Sequence, residues 1–263
     1  MTVTTARVLT LNCRRSSAVE LFPSRRWSRR KPYLIDFIKK AAPSVIGVQE
    51  CTMTQTVDIT DALGPNWTWY SSRNPKIIWD SAKWTAIDHF YQDLPYTVAG
   101  VPGHRQVVMV RLQSIKTGEA SWFIDHHGVV HIPNEADWRK RHMEKICQLI
   151  AERPAHERVI FFGDFNDLPQ NGGVRGVAST HGYKALRVRL PDSKISRLTY
   201  NSFNGFKVTK RENKWLDDIL TSAGVTPLEA AIRLTDPTVY PVAASDHNGL
   251  FARVQFGSPT SVA

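Results

Sequence analysis

Polar side chains that bind metal ions or move protons follow several short apolar runs of this sequence. They are Asn12 after RVLTL, Glu50 after VIGVQ, Asp125, His126 and His127 closing WFIDHH, Asp164 and Asn166 in GDFND, Asp217 and Asp218 in LDDIL, and Asp246 and His247 in SDHNGL. A buried charge is costly unless it is paired or bound to a metal. Each residue alone has an ordinary explanation, such as a helix cap, an Asx turn or a solvated loop. Together they predict a cluster at one sheet edge, with oxygen ligands suited to Mg²⁺ or Mn²⁺.

The elements that must position these side chains are mostly strands. Apolar runs bounded by turn residues predict strands at Arg7–Cys13, Val45–Gln49, Lys76–Trp79, Val107–Leu112, Ser121–Asp125, Val159–Gly163, Leu216–Thr221 and Leu250–Val254. Helical spacing predicts two helices, Pro32–Ala42, with its proline at the start, and Asp137–Glu152. Many strands with few helices favour a two-sheet α/β sandwich flanked by helices.

Other common chemistries lack their sequence signals. The three cysteines have no CxxC spacing and there is no HExxH helix, which argues against zinc. The chain contains no GxxxxGK[ST] or GxGxxG loop for nucleotides and no GxSxG elbow for a serine hydrolase.

Composition is that of a globular protein. The 263 residues are 42% hydrophobic and 22% charged, which excludes wholesale disorder. We expect a single domain over residues 1–256 and a flexible tail over 257–263. No apolar run is long enough to span a membrane, and the start lacks the order of a signal peptide. We therefore expect a cytoplasmic monomer without membrane association and, from three scattered cysteines, without a disulfide framework.

The positive charge is concentrated near the start of the chain. Net charge is +10, and residues 1–40 hold ten basic and two acidic side chains, which leaves +2 for the rest. The connection after the first strand carries the candidate substrate-binding residues Arg25, Arg26, Arg29 and Arg30, with Trp27 available to stack on a base. The alternative is a solvated loop with a buried tryptophan. Arg105, expected to lead a strand, is a further candidate for binding a phosphate or for pairing with an acid.

The motifs resemble those of the endonuclease/exonuclease/phosphatase superfamily, which includes deoxyribonucleases, deadenylases, inositol-polyphosphate phosphatases and sphingomyelinases. LTLN, VIGVQE, the strand ending in His127, GDFND, LDDIL and SDHNGL follow in family order from Arg7 to about Val254. The resemblance implies a four-layer α/β sandwich of two packed, mainly antiparallel sheets. Two positions depart from it, because Asp125 stands where the family has asparagine and Asp218 where it has an aromatic residue. His126 remains a rival to His127 as the catalytic histidine.

The resemblance also implies hydrolysis of a phosphate ester by in-line attack of water, assisted by Mg²⁺ or Mn²⁺. Glu50 with Asn12 would hold the metal, and Asp246 would bind a second metal or orient His247. The implied catalytic residues are His127, Asp164, Asn166, Asp217, Asp246 and His247. A nuclease is favoured, with DNA preferred over RNA as the partner. The alternatives are a phosphatase or phosphodiesterase acting on a small or lipid ester, and an inactive binding protein with the same fold.

Overall fold

The computed structural model describes residues 3–17, 20–71, 73–153, 158–168, 173–186, 199–200, 215–233 and 241–257. Residues 258–263 of the predicted tail lie outside this part. The described strands are β1 (Thr5–Asn12), β2 (Val45–Gln49), β3 (Trp67–Tyr70), β4 (Lys76–Asp80), β5 (Trp84–Val98), β6 (Val101–Ser114), β7 (Ala120–His127), β8 (Val159–Asp164), β9 (Lys184–Ala185), β10 (Asp217–Thr221), β11 (Val225–Arg233) and β12 (Gly249–Phe256). The described helices are α1 (Trp27–Ala41), α2 (Met53–Leu63), α3 (Glu135–Ala151) and α4 (Val174–Thr180), with a short 3-10 turn at Pro23–Arg25.

These strands form two sheets of six. The first sheet has the order β11-β12-β1-β2-β4-β3 and the second has the order β5-β6-β7-β8-β10-β9. β1 is parallel to β2 and β7 is parallel to β8, whereas the other pairs are antiparallel. The predicted α/β sandwich of mainly antiparallel sheets is therefore confirmed.

Successive side chains of a strand point to opposite faces of its sheet, so they pack into different layers of the core. In β8, Ile160 and Phe162 belong to the core between the sheets, whereas Val159 and Phe161 belong to the core under α3. A third core lies between the first sheet and α1, where Leu9 and Leu34 meet. The sheets approach closely beneath the site, since a Cβ on Gly47 would lie 2.5 Å from the Cβ of Phe162.

All eight predicted strands occur, but the start predicted for the first helix is wrong. α1 begins at Trp27, so Pro32 lies inside the helix and part of the basic stretch is helical rather than loop. At this position, in the second turn, the proline has no N–H to donate to the carbonyl of Ser28, so the helix lacks one intrahelical bond there. Ala42, with φ 45°, ends it before Pro43.

Candidate active site

The predicted site residues meet at one edge of the two sheets. Asn12 ends β1 and Glu50 follows β2, while His127 and Asp164 end the parallel pair β7 and β8. β10 runs antiparallel to β8, so its first residue, Asp217, is in register with Asp164. Asp246 and His247 come just before β12, beside β1. Sheet topology thus brings together groups that are up to 235 positions apart in the chain.

A histidine–aspartate pair lies at the centre of the cluster. Nδ1 of His247 and Oδ2 of Asp217 form a hydrogen bond of 2.8 Å, and both residues are buried. Nε2 of the same ring is 3.9 Å from Oδ2 of Asp164. Asp217 therefore fixes the ring so that its second nitrogen faces the other site groups.

Asn12 connects the two sheets at the site. Its Nδ2 donates to Oδ2 of Asp164 at 2.9 Å and, more weakly, to Oε1 of Glu50 at 3.4 Å. Its Oδ1 accepts the backbone N–H of Arg14 at 2.9 Å. The amide thereby spaces two carboxylates that would otherwise repel each other.

Burial and neighbouring charges set the protonation states. Burial lowers the pKa of His247, but Asp217 and Asp164 outweigh it and raise that pKa well above its usual value. Burial raises the pKa of Asp164, but His247 and His127 reverse this and leave the pKa lowered. Burial lowers the pKa of His127. The neighbouring acids therefore favour the charged form of His247, whereas burial favours the neutral form of His127.

The structure distinguishes the two adjacent histidines. Nε2 of His127 is 3.6 Å from Oδ2 of Asp164 and 4.0 Å from Oε1 of Glu50. His126 points to the opposite face of β7, where its Nδ1 lies 3.0 Å from the carbonyl oxygen of Gln106 and its ring meets His142. Only His127 faces the cluster, because successive strand residues point to opposite faces.

Asp125 lies on the same face as His127, one step deeper between the sheets. Its Oδ1 accepts Nε2–H of Gln49 at 2.6 Å, and Oδ2 is buried without a partner among the described residues. Burial raises its pKa well above the usual value, despite the bond from Gln49. Burial therefore favours the neutral form of this acid, which lies beneath the site.

The GDFND turn has the ordinary Asx geometry as well as a place in the site. The N–H of Asn166 donates to Oδ1 of Asp164 at 3.0 Å, and Asn166 adopts a left-handed φ of 51°. Its Nδ2 donates to the carbonyl of Gly128 at 3.2 Å. Asp246 is nearby, 3.9 Å from Nε of Arg14, and burial raises its pKa.

Two adjacent acids of β10, Asp217 and Asp218, have different surroundings, one at the site and one away from it. Asp217 faces His247, whereas Asp218 accepts Nε–H of Arg175 at 2.6 Å on the other side of the sheet. Arg175 also bonds two backbone carbonyls, those of Asp167 and Trp215. The geometry agrees with assigning the late acidic position to Asp217.

Two residues of the predicted basic surface are interior residues, which corrects their assignment to substrate binding. Arg30 is 0% exposed, and its guanidinium donates to the carbonyls of Arg25, Cys13, Arg14 and Ala244 at 2.7–2.9 Å. Trp27 is 9% exposed, and its Nε1–H donates to Asp58 at 2.6 Å. Arg30 is buried because four carbonyls at a chain crossing need donors, and Trp27 because its ring completes the core under α1. Arg26 and Arg29 are exposed and Arg25 is half-buried.

Arg105 lies inside β6 rather than at its start, since β6 begins at Val101. It is near the site, because its charge contributes to lowering the pKa of His127. Among the described residues it forms no ion pair with an acid, and its Nε is buried without a partner. A phosphate-binding role therefore remains a prediction, with no acid observed to compete for this cation.

The donor set fits a divalent cation. Glu50, Asp164, Asp217 and Asp246 bring four carboxylates together, and within the described residues the one lysine or arginine ion pair to them is the long Arg14–Asp246 contact. Oxygen donors with surplus negative charge suit Mg²⁺ or Mn²⁺. Asp164, Asp217 and His247 present ligand atoms within 4.8 Å of one another. These three side chains lie close together because His247 is hydrogen-bonded to Asp217, and that bond already occupies Nδ1 of the histidine.

Sequence reasoning missed several supporting residues. Thr199 accepts the N–H of Asp217 through Oγ1 at 3.0 Å, and the Tyr200 ring lies 5.1 Å from that of His247. Oγ of Ser245 donates to the carbonyl of Asn12 at 2.6 Å and links the SDH segment to β1. The serine could have been found from its place before Asp246, whereas no local pattern marks Thr199 and Tyr200.

A family model described as the Endonuclease/Exonuclease/phosphatase family matches residues 9–247. The chain belongs to this family. Its members hydrolyse phosphate esters and generally depend on divalent metal ions, which supports an enzyme and agrees with the buried acidic and histidine cluster. No curated protein sequence is significantly similar to the chain.

Solved structures share the fold at low sequence identity. An endonuclease/exonuclease/phosphatase family protein from Bacteroides thetaiotaomicron has a TM-score of 0.82 at 16% identity, covering 98% of this chain and 100% of that chain. A mannosyl-6-phosphatase from the same organism has a TM-score of 0.79 at 16% identity, covering 94% and 98%. D. rerio TDP2 complexed with single-strand DNA product has a TM-score of 0.72 at 17% identity, covering 95% and 99%. At these identities the likeness establishes the fold alone.

The described helices are all too short or too polar to cross a lipid bilayer.

Proposed function

We propose that this family member is a divalent-metal-dependent nuclease that hydrolyses phosphodiester bonds, with DNA favoured over RNA. The observation that carries the proposal is the convergence of the His247–Asp217 pair, Asp164 and the Asn12–Glu50 pair at one sheet edge. Such a site supplies a fixed proton-handling nitrogen, an ionised acid and oxygen ligands within one cluster.

Each side chain has a role that its contacts support. Asp217 holds Nδ1 of His247, which leaves Nε2 to transfer a proton or to donate to the phosphate. Asp164 and Asn166, tied together by the turn, orient the attacking water and the phosphate. His127, whose Nε2 is 3.6 Å from Oδ2 of Asp164, contacts the phosphate or assists the leaving oxygen.

Glu50, Asn12 and Asp246 would hold the metal ion. When bound, the cation offsets negative charge on the phosphoryl and leaving oxygens. Burial alone would raise the pKa of Glu50, but the neighbouring His127 and the Arg15 N–H outweigh it and leave that pKa lowered, which keeps this ligand ionised.

A nucleic-acid substrate is supported by charge. Three arginines of the basic stretch, Arg25, Arg26 and Arg29, remain on or near the surface, and the net charge is +10. Cations that contact successive phosphates give affinity that falls steeply with salt. Arg105 adds a further cation near His127.

The test is an activity panel with Mg²⁺, Mn²⁺ and EDTA against supercoiled plasmid, linear duplex, single-stranded DNA, RNA and a phosphomonoester. We expect nicking of the plasmid with metal and none with EDTA. Asp164→Asn should abolish the activity, and Asp61→Asn, at an exposed position of α2, serves as its matched control. Hydrolysis that persists in EDTA would contradict the metal requirement.

The second candidate is a phosphatase or phosphodiesterase acting on a small or lipid ester. The burial of Arg30 and Trp27 favours it, because it removes two groups from the proposed polymer surface. Turnover of the phosphomonoester alone, with little dependence on salt, would select this candidate. Absence of turnover on every substrate would leave a binding protein with the same fold. Gel filtration and cell fractionation would test the proposed monomeric state and cytoplasmic location.

A further inference from the structure

A basic pocket opens beside Glu50. Its volume is about 270 Å³, and its lining includes Arg15, Arg73, Lys76 and the start of α2 at Thr52 and Met53. Glu50 is its one acidic lining residue. The pocket therefore has a net positive lining next to a predicted metal ligand.

The two arginines are available to a ligand. The side chains of Arg15 and Arg73 are exposed, and neither forms an ion pair with an acid among the described residues. Nη1 of Arg73 lies 2.9 Å from Nε2 of His104 on β6, which holds the guanidinium near the site edge. Its other donors remain for an anion, because a guanidinium carries five.

Lys76 adds a cation that is nearly buried. It is 2% exposed, and its Nζ donates to the carbonyls of Cys51, at 2.6 Å, and of Arg73. No carboxylate pairs with it in the described part of the chain. A buried ammonium without an acid is costly, and an anion in the adjacent pocket would offset that cost.

The N-terminus of α2 completes the pocket. Thr52 and Gln55 form a capping box, in which Oγ1 of Thr52 accepts the N–H of Gln55. The N–H groups of Met53 and Thr54 have no helical acceptor, since they lie in the first turn. These amides and the helix dipole favour negative charge at this end of the helix.

We propose that this pocket binds a second phosphate group of the substrate, next to the phosphate that reacts. The backbone N–H of Arg15 donates to Oε2 of Glu50 at 3.3 Å, so one segment contacts both the metal ligand and the pocket. The second phosphate comes either from the next linkage of a nucleic-acid strand or from a small ester with two phosphates. This inference rests on the proposed function for its substrate, but not for its anion binding.

Binding is tested first without catalysis, with inorganic pyrophosphate as the probe. Calorimetry in metal-free buffer compares the wild type with the double variant Arg15→Ser, Arg73→Ser and with the control Lys116→Ser, an exposed cation between β6 and β7. We expect the double variant to weaken binding at least about tenfold, because charge-assisted hydrogen bonds contribute strongly. The control should bind like the wild type. Equal affinity of all three proteins, or no binding to the wild type, would overturn the proposal.

Substrate pairs that differ by one phosphate then identify the source. One arm uses the p-nitrophenyl ester of thymidine 5′-phosphate with and without a 3′-phosphate, and the other uses glucose 6-phosphate and glucose 1,6-bisphosphate. A higher kcat/KM for the two-phosphate member, which the double variant brings towards the one-phosphate value, supports the pocket. A gain in the first arm alone indicates a strand, whereas a gain in the second indicates a small ester.

The two proposals fail separately. If the wild type hydrolyses no substrate but binds pyrophosphate, and the double variant binds it more weakly, the proposed function fails and the anion site stands. If the wild type hydrolyses both members of a pair with a ratio that the double variant leaves unchanged, the pocket proposal fails and the proposed function stands.

Discussion

Nδ1 of His247 and Oδ2 of Asp217 are joined by a buried hydrogen bond of 2.8 Å that bridges the two sheets. One partner belongs to β10 of the second sheet, and the other precedes β12 of the first. The bond therefore fixes the orientation of the histidine and the alignment of the layers together.

Asp217→Asn should remove the orienting charge from His247 while keeping the shape of the side chain. We expect kcat to fall by about 10²–10⁴-fold, the range attributed to a positioned acid or base. Steady-state kinetics on the substrate found in the activity panel measures this loss, and circular dichroism checks the fold.

Asp218→Asn is the matched control, since it lies next in sequence and pairs with Arg175 instead. We expect it to lower the free energy of unfolding by about 3 kcal/mol, because a buried ion pair loses one partner, and to leave the folded enzyme active. Equal kinetic losses in both variants would contradict a specific role for Asp217.

Metal binding should be visible as thermal stabilisation, independent of turnover. A ligand at about a hundred times its Kd adds about 2.7 kcal/mol, which corresponds to about 5–10 °C in Tm for a chain of this size. Glu50→Gln should lose most of this Mg²⁺-dependent shift, because it removes a charged ligand. An undiminished shift in the variant would show that Glu50 does not hold the ion.

Stability should fall in mild acid through His126. Burial lowers its pKa from 6.5 to about 3, so the unfolded state binds the proton first. The contribution of His126 to the free energy of unfolding is fully present above pH 6.5 and is lost as the pH falls towards 3. The free energy of unfolding should drop by about 2 kcal/mol over the first 1.5 pH units below 6.5. Urea unfolding across this range should give a shallower pH dependence for His126→Asn than for the wild type.

Asp125 should have the opposite pH dependence. Its folded-state pKa is raised well above the usual value of 3.8, so its contribution is present below that value and is lost as the pH rises through the folded-state pKa. Asp125→Asn keeps the acceptor for Gln49 without a titratable proton. We expect it to be more stable than the wild type at neutral pH and to lose that advantage in acid. A variant that is less stable at neutral pH would mean that the carboxyl group is ionised in the fold.

The basic stretch should separate into structural and surface residues. Arg30→Ala removes the donor for four carbonyls, and we expect it to lower the free energy of unfolding by several kcal/mol, about 1–3 for each group left unsatisfied. Replacing Arg25, Arg26 and Arg29 by serine should leave the free energy of unfolding nearly unchanged.

DNA binding should weaken in that triple variant. The slope of log K against log salt concentration should fall by about 0.9 for each phosphate that is no longer neutralised. If DNA binding and turnover of a small ester fall equally in the triple variant, these arginines are ordinary surface charge.

The site residues could be predicted from sequence because each closes or opens an apolar strand. Asn12, Asp164 and Asp217 need only the rule that such ends meet at a sheet edge, and the structure brings all three within one cluster. The choice between His126 and His127 needed the face of β7, which depends on register with β6 and β8.

The errors arose where tertiary contacts override local pattern. Arg30 looks like surface charge in sequence, and only the crossing of three chain segments turns it inwards. α2 was missed although Thr52 and Gln55 have capping-box spacing, because its apolar face is short. Pro32 suggested a helix start, but the core position of Trp27 extends the helix by about one and a half turns.

Gly47, where the two sheets approach each other closely, has a consequence for the site. The first sheet contributes Asn12 and Glu50 and the second contributes His127, Asp164 and Asp217, so the cluster exists only while the layers keep their spacing. A side chain at position 47 would act as a wedge that separates the layers beneath the chemistry. The geometry of the cluster therefore depends on how the two sheets pack against each other. It is lost when the sheets separate, even if each sheet keeps its own hydrogen bonds.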